Sequence, residues 1–206
     1  VLYKASEGVW PTLSTVSAEG GKRKVIYNAA ETGVVIESVS HTTDANQFAF
    51  RAGTTTVHSE LYSWSPKKGI EQLTTQNPWM ADRQFGEQKV VHYKSRDGRE
   101  IEGLLIYPVD YKDGQTYPLI VNVHGGPESN FSNNMRRTTS YSIAGQVLAG
   151  RGYVIFYPNY GASTGYGIEH AMIGYEDAAG REFDDIADGI DFLVEEGIAD
   201  KDRVGL

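Results

Sequence analysis

No cysteine occurs anywhere in the 206-residue chain, which excludes disulfide bridges and thiolate-ligated metal centres but leaves the compartment open. Long apolar runs are missing too. None approaches the ~20 residues that a membrane-spanning helix needs, so no membrane partner is expected. The chain opens on Val1 without a signal-like segment, so cytoplasmic, periplasmic and secreted locations all stay open. Basic side chains are scarce where acidic ones crowd: residues 169–202 carry twelve Asp and Glu against only Arg181 and Lys201. Nucleic-acid binders cluster Lys and Arg, so this acidic third argues against such a partner and reads as a solvated helix face. His41, His58 and His92 stand alone, without the paired spacing of metal ligands. No metal or other cofactor is expected.

What is present falls into two textures. Up to about residue 76, short runs rich in β-branched and aromatic residues, such as KVIYN (24–28) and QFAFRAG (47–53), are separated by turn residues. Residues 60–74 read as a hairpin turning at Ser65–Gly69. No helical period appears in this stretch, which reads as antiparallel β-meander. Residues 74–86 read as a linker, and a second hairpin is expected across residues 87–108, turning at RDGR.

Beyond it the texture is α/β. YPLIVNVHGG (117–126) and GYVIFYPNY (152–160) are nearly continuous apolar strands, as expected for burial on both faces. TTSYSIAGQVLAG (138–150) has helical spacing of Tyr141, Ala144, Val147 and Leu148. The strongest helix lies near residues 181–196. It has Phe183, Ile186, Ala187, Ile190, Leu193 and Val194 on one face, and Asp184, Asp185, Asp188, Asp191 and Glu195 opposite. RVGL (203–206) starts a further strand. Strand, helix, strand, helix, strand predicts a parallel, doubly wound sheet.

Gly161-Ala162-Ser163-Thr164-Gly165 spells G-x-S-x-G, the nucleophile elbow of the α/β-hydrolases. An elbow runs from a strand directly into a helix. Here Pro158 and Asn159 precede the motif, and Gly165 and Gly167 follow it. The acid and histidine of such a triad come later on further strands, yet the sole later histidine is His170, seven positions on. A local Ser163–His170 contact is conceivable, but the motif reads as a glycine-rich loop. Arg136 and Arg137 are candidates for meeting a substrate carboxylate, with solvent-facing roles the blander alternative. Trp10, Trp64 and Trp79 read as packing residues.

Three landmarks in order, YPLIVNVHGGP (117–127), YPNYGASTGYG (157–167) and EFDDIADGIDFLVEEGIADKDRVGL (182–206), give the chain a specific resemblance. Over about 120 residues it resembles the prolyl oligopeptidase family of serine peptidases, in its acylaminoacyl-peptidase and dipeptidyl-peptidase-like branches. Gly161-Ala162 stand where that family more often has Arg-Gly.

The resemblance implies an incomplete α/β-hydrolase sheet preceded by antiparallel strands from the end of a β-propeller. Residues 1–76 would be the partial propeller, and residues 77–206 the first part of the peptidase domain, truncated before the nucleophile elbow. It further implies that GASTGYG is a loop near the active-site face, and that the triad Ser, Asp and His lie outside this chain. Gly126, with Gly125, would supply half of the oxyanion hole, and His124 would stand where some relatives use a tyrosine hydroxyl to meet substrate. The implied activity is peptide-bond hydrolysis in oligopeptides through an acyl-enzyme, with the chain alone inactive. Its partners would be a peptide substrate and either the missing remainder of the hydrolase domain or a second copy. An esterase or lipase on the same sheet and a non-catalytic β-rich interaction module stay open.

Overall fold

The computed structural model describes residues 1–126, 128–135, 144–177 and 179–206. These divide into two units: Val1–Arg83 together with residues 132–135, and Gln84–Phe131 together with the described residues from 144 onward.

The first unit is built from short strands because its sequence alternates. β1 (Leu2–Ala5), β2 (Thr12–Thr15) and β3 (Lys24–Asn28) pair antiparallel in that order, and β4 (Val35–His41), β5 (Phe48–Gly53), β6 (Glu60–Ser65) and β7 (Gly69–Gln72) form a four-stranded meander. In β5 and β6 the alternation puts Phe48, Phe50, Tyr62 and Trp64 inward, where they share one core with Leu13 and Tyr27. The hairpin expected at Ser65–Gly69 closes β6 on β7, with those two residues as its last pair. One helical turn was not foreseen: α1 (Ala29–Thr32) starts where the Asn28 side chain accepts from the Ala30 N–H and ends at Gly33, with φ of 71°. A motif of four residues carries no readable period. The stretch expected to be a linker contains a short 3-10 helix, Pro78–Asp82.

The second unit is mixed α/β. β8 (Gln88–Lys94) and β9 (Glu100–Ile106) form the expected hairpin, and β10 (Tyr117–Val121), β11 (Val154–Asn159) and β12 (Ala199–Gly205) join them in a sheet ordered β12-β10-β11-β9-β8. β10 runs parallel to both β11 and β12, as the strand–helix–strand grammar predicts, while β9 pairs antiparallel with β11. β11 is buried throughout. β10 departs from the expectation of burial on both faces: Leu119 and Val121 are buried while Tyr117, Pro118 and Ile120 are only half-buried. The helix expected at residues 138–150 is described only as α2 (Gly145–Ala149), which packs on β9 and β11. Its earlier part lies outside the described residues. Within it Gly145 and Ala149 face inward and Val147 is exposed. A one-turn helix, α3 (Ile168–Ala171), follows β11.

α4 (Arg181–Glu195) packs on β8 and β12. Gly197 at φ 70° stops it, with the Gly197 N–H donating to Val194 O and the Ile198 N–H to Leu193 O. Of the face the periodicity predicts, Leu193 is core and Ile186, Ile190 and Val194 pack against it, but Phe183 does not. Asp185, Gly189 and Leu193 form the innermost line, and Phe183 is 59% exposed. Gly189 fits because a Cβ there would come within 2.7 Å of the Phe156 ring. Asp185, expected in water with the other acids, is fully buried. No helix among the described residues is long and apolar enough to cross a membrane.

Candidate active-site loops

Two loops leave the carboxyl ends of adjacent parallel strands, the position at which α/β sheets bind ligands. After β10 comes His124-Gly125-Gly126, and after β11 comes residues 160–167. Gly125 and Gly126 are exposed, and among the described residues neither N–H donates to a protein acceptor. Gly126 has φ of 140°, and a Cβ there would sit 2.7 Å from the Glu128 nitrogen, so only glycine fits. Pro127 lies outside the described residues. An open groove of about 440 Å³ borders this segment, lined also by Val123, Tyr160, Glu182 and Phe183.

The second loop holds the first. The Tyr160 ring stacks on the His124 imidazole, with centroids 4.6 Å apart, and its hydroxyl donates to the His124 carbonyl. Nδ1 of His124 lies 3.3 Å from both the Gly125 carbonyl and the Tyr160 oxygen. The carbonyl accepts only, and the tyrosine proton is already placed on another oxygen. The neutral ring therefore carries its proton on Nδ1 and accepts at Nε2. The donor at Nε2 is the Ser163 hydroxyl, 3.0 Å away. Further along, the Thr164 N–H donates to Ser129 O (2.9 Å). The Asn159 carboxamide grips the Phe131 backbone from both sides, accepting from its N–H (2.7 Å) and donating to its carbonyl (3.1 Å).

Ser163 thus contacts a histidine, but not the one the sequence suggested. His170 Nε2 donates to the Tyr160 carbonyl (3.0 Å) instead, and burial lowers its pKa below the ordinary value. Ser163 is fully buried and its own N–H donates to Tyr160 O (3.0 Å). The left-handed residue in the loop is Ala162, φ 75°, rather than the serine. A substrate carbonyl has no route to the Ser163 oxygen, so the G-x-S-x-G match is not presented as a nucleophile.

Asp185 anchors the loop from beneath. Its carboxylate accepts from the Gly161 N–H (2.8 Å) and takes a two-point bond from Arg99. Burial pushes the Asp185 carboxyl up from its ordinary pKa, against the opposing pull of Arg99 and the Gly161 N–H. Asp97, beside Arg99, is drawn down to about 2, chiefly by its bond from the Ser95 hydroxyl. Arg96 pairs with Asp184 and Asp188, tying the β8–β9 turn to α4 a second time.

The other singled-out residues lie apart from these loops. His41 bonds the neighbouring Thr42 carbonyl through Nδ1 (2.8 Å), and His92 lies 3.3 Å from Glu102 on the paired strand. No group of acidic and histidine side chains among the described residues is arranged to hold a metal. Trp64 is core and Trp10 packs against it, but Trp79 is 55% exposed, with the Arg83 guanidinium 5.9 Å from its ring centre. The packing role expected of Trp79 is therefore not the one it has. Arg136 and Arg137 lie outside the described residues. Asn159, Tyr160 and Asp185 are the participants that the sequence did not flag. A polar residue between an apolar strand and a glycine loop was the available signal for Asn159.

Residues 139–206 match the model of the prolyl oligopeptidase family. The uncharacterized peptidase YuxL of Bacillus subtilis is 33% identical over 134 residues, which is 65% of this chain and 20% of that protein. Dipeptidyl aminopeptidase BIII of Pseudoxanthomonas mexicana is 29% identical over 88% of this chain and 23% of its own length. The acylaminoacyl peptidase of Pyrococcus horikoshii superposes with a TM-score of 0.78 at 27% identity, covering all of this chain and 31% of that one. The chain thus spans about a fifth of the length of these curated relatives and about a third of the solved structure.

Proposed function

The chain belongs to the prolyl oligopeptidase family, and from that premise we propose that it is part of a serine peptidase that hydrolyses oligopeptides through an acyl-enzyme. Residues 1–76 are the end of a β-propeller, and residues 77–206 are the first part of the α/β-hydrolase domain. The strand β12 leads on to the elbow that carries the nucleophile. The partial coverage of the relatives supports this reading, because two thirds or more of each lies outside the matched segment.

The observation that carries the proposal is the Gly125–Gly126 segment. Attack on a peptide carbonyl turns its oxygen into an oxyanion, and fixed N–H groups stabilise that charge without reorganising during the reaction. Gly126 presents its N–H at the end of a central parallel strand, with no protein acceptor among the described residues. The absence of a Cβ on either glycine lets the carbonyl approach. Gly126 is the first oxyanion donor, and the residue after the downstream serine is the second. His124 borders the substrate, with its Nε2 engaged by Ser163 and a ring face by Tyr160. The triad lies outside these residues, and the 206-residue chain alone hydrolyses nothing.

The test is turnover of short peptide p-nitroanilides and matched p-nitrophenyl esters by the full-length protein, with acid trapping of the acyl-enzyme for mass analysis. Anilide cleavage with acyl transfer to a serine beyond residue 206 is expected. Ester turnover alone would replace the peptidase reading with an esterase, and no covalent intermediate would remove the acyl-enzyme mechanism.

A further inference from the structure

Both feet of the glycine segment rest on side chains of one short stretch, and both side chains are buried polar groups. Asn159 and Ser163 each have no solvent exposure. We propose that they are positioning residues for the oxyanion loop: Ser163 fixes His124 at its start and Asn159 fixes Phe131 at its end. The inference rests on reading the Gly126 N–H as an oxyanion donor.

The described residues at both ends of the glycine segment are held by side chains. His124 is held at Nε2 by Ser163 and at its carbonyl by Tyr160. Phe131 is held at its N–H and carbonyl by one carboxamide, much as a neighbouring strand would hold it. Between them Ser129 O accepts from the Thr164 N–H, a further tie from residues 159–164. That stretch is itself braced. Gly161 donates to Asp185, and the Asn159 amide reaches Tyr166 (2.8 Å), whose hydroxyl donates to Glu102 on β9 (2.6 Å).

Burying a carboxamide and a hydroxyl is costly unless their hydrogen bonds are met, and here, apart from the Asn159–Tyr166 bond, those bonds go to the loop that carries Gly125 and Gly126. Glycines have no side chain to hold their own amides in place, so the aim of the Gly126 N–H is set from outside. The match to an elbow motif is then a scaffold that frames the oxyanion segment while another serine attacks.

The experiment uses the full-length protein and a short peptide p-nitroanilide, with rates divided by the concentration of active serine titrated with a fluorophosphonate. Ser163→Ala and Asn159→Asp are each made alone and combined with Gly126→Pro, which removes the donor and also shifts the backbone from its φ of 140°. Misplacing a catalytic group by about 1 Å costs on the order of 100-fold. Each single variant is therefore expected to lower kcat per titrated site by about 10- to 100-fold, with KM within about two-fold. In the Gly126→Pro background the same changes should cost less than about two-fold, because the group they position is gone. Unchanged kcat per titrated site, with losses only in melting temperature or titratable fraction, would overturn the inference. Equal losses in both backgrounds would do the same. If Gly126→Pro itself retains full kcat, the oxyanion reading falls and this inference with it. If Gly126→Pro is impaired while Ser163→Ala and Asn159→Asp are not, only the positioning role falls.

Discussion

Arg99 meets Asp185 through two hydrogen bonds of 2.8 and 3.1 Å, joining residues 86 positions apart in the chain. The two partners are unequally buried: the Asp185 side chain is inaccessible, whereas that of Arg99 is 26% exposed and also bonds Asp97. Removing Arg99 leaves a buried carboxylate with only the Gly161 N–H, while removing Asp185 leaves a Gly161 N–H without its acceptor and an arginine that keeps another partner and some water. Breaking a buried pair from one side costs about 3–5 kcal/mol. Arg99→Ala is expected near that range and Asp185→Ala clearly below it. Urea unfolding followed by far-ultraviolet circular dichroism measures both, and a larger loss for Asp185→Ala would reverse the argument.

Ala162 holds a left-handed conformation, φ 75°, which suits glycine better than alanine. A Cβ in that region costs roughly 1–2 kcal/mol. Its methyl group is buried, and glycine also adds freedom to the unfolded chain. The balance favours glycine by a few tenths to about 1 kcal/mol. Ala162→Gly should raise the melting temperature slightly. A fall would mean that the packed methyl outweighs the strain.

His170 supplies a pH dependence of definite sign. Its folded pKa lies below the reference value of 6.5 because burial disfavours the imidazolium. Above 6.5 both folded and unfolded forms are neutral and nothing is lost. As pH falls below it, the unfolded chain takes up a proton that the folded site resists, so stability declines until the folded pKa is passed. Gln at this position can still donate to Tyr160 O but does not titrate. Comparing urea midpoints at pH 7.5 and 5.0, the wild-type protein should lose more stability than His170→Gln. An equal or smaller loss would remove the histidine as the source.

Much of this organisation was legible because it is periodic. Alternation marked β5 and β6, continuous apolar residues marked β11, and the 3.6-residue period marked α4. The parallel order of β10, β11 and β12 followed from the helices between them. Illegible were the features whose partner is remote. The acids of α4 look alike in sequence, and only Arg99 on β9's leading turn singles out Asp185 for burial. Ser163 drew attention through its neighbours, yet its partner His124 lies 39 residues upstream on another strand's loop. A single turn such as α1, or a single residue such as Ala162, leaves no period to read.

The same remoteness decides what Ser163 can do. A serine nucleophile needs a base at its oxygen and a substrate carbonyl on the other side. Ser163 has the first, since His124 Nε2 accepts from it at 3.0 Å. It lacks the second, being fully buried. On the ring's other side Nδ1 faces the Gly125 carbonyl and the Tyr160 hydroxyl. A fluorophosphonate requires the same approach to the oxygen as a peptide carbonyl does, so it reads out access and activation together. The purified 206-residue chain should show no labelling at Ser163. The full-length protein should label stoichiometrically at a serine beyond residue 206, and that labelling should survive Ser163→Ala at reduced rate. Stoichiometric adduct on Ser163, abolished by Ser163→Ala, would make the buried pair a nucleophile and base after all.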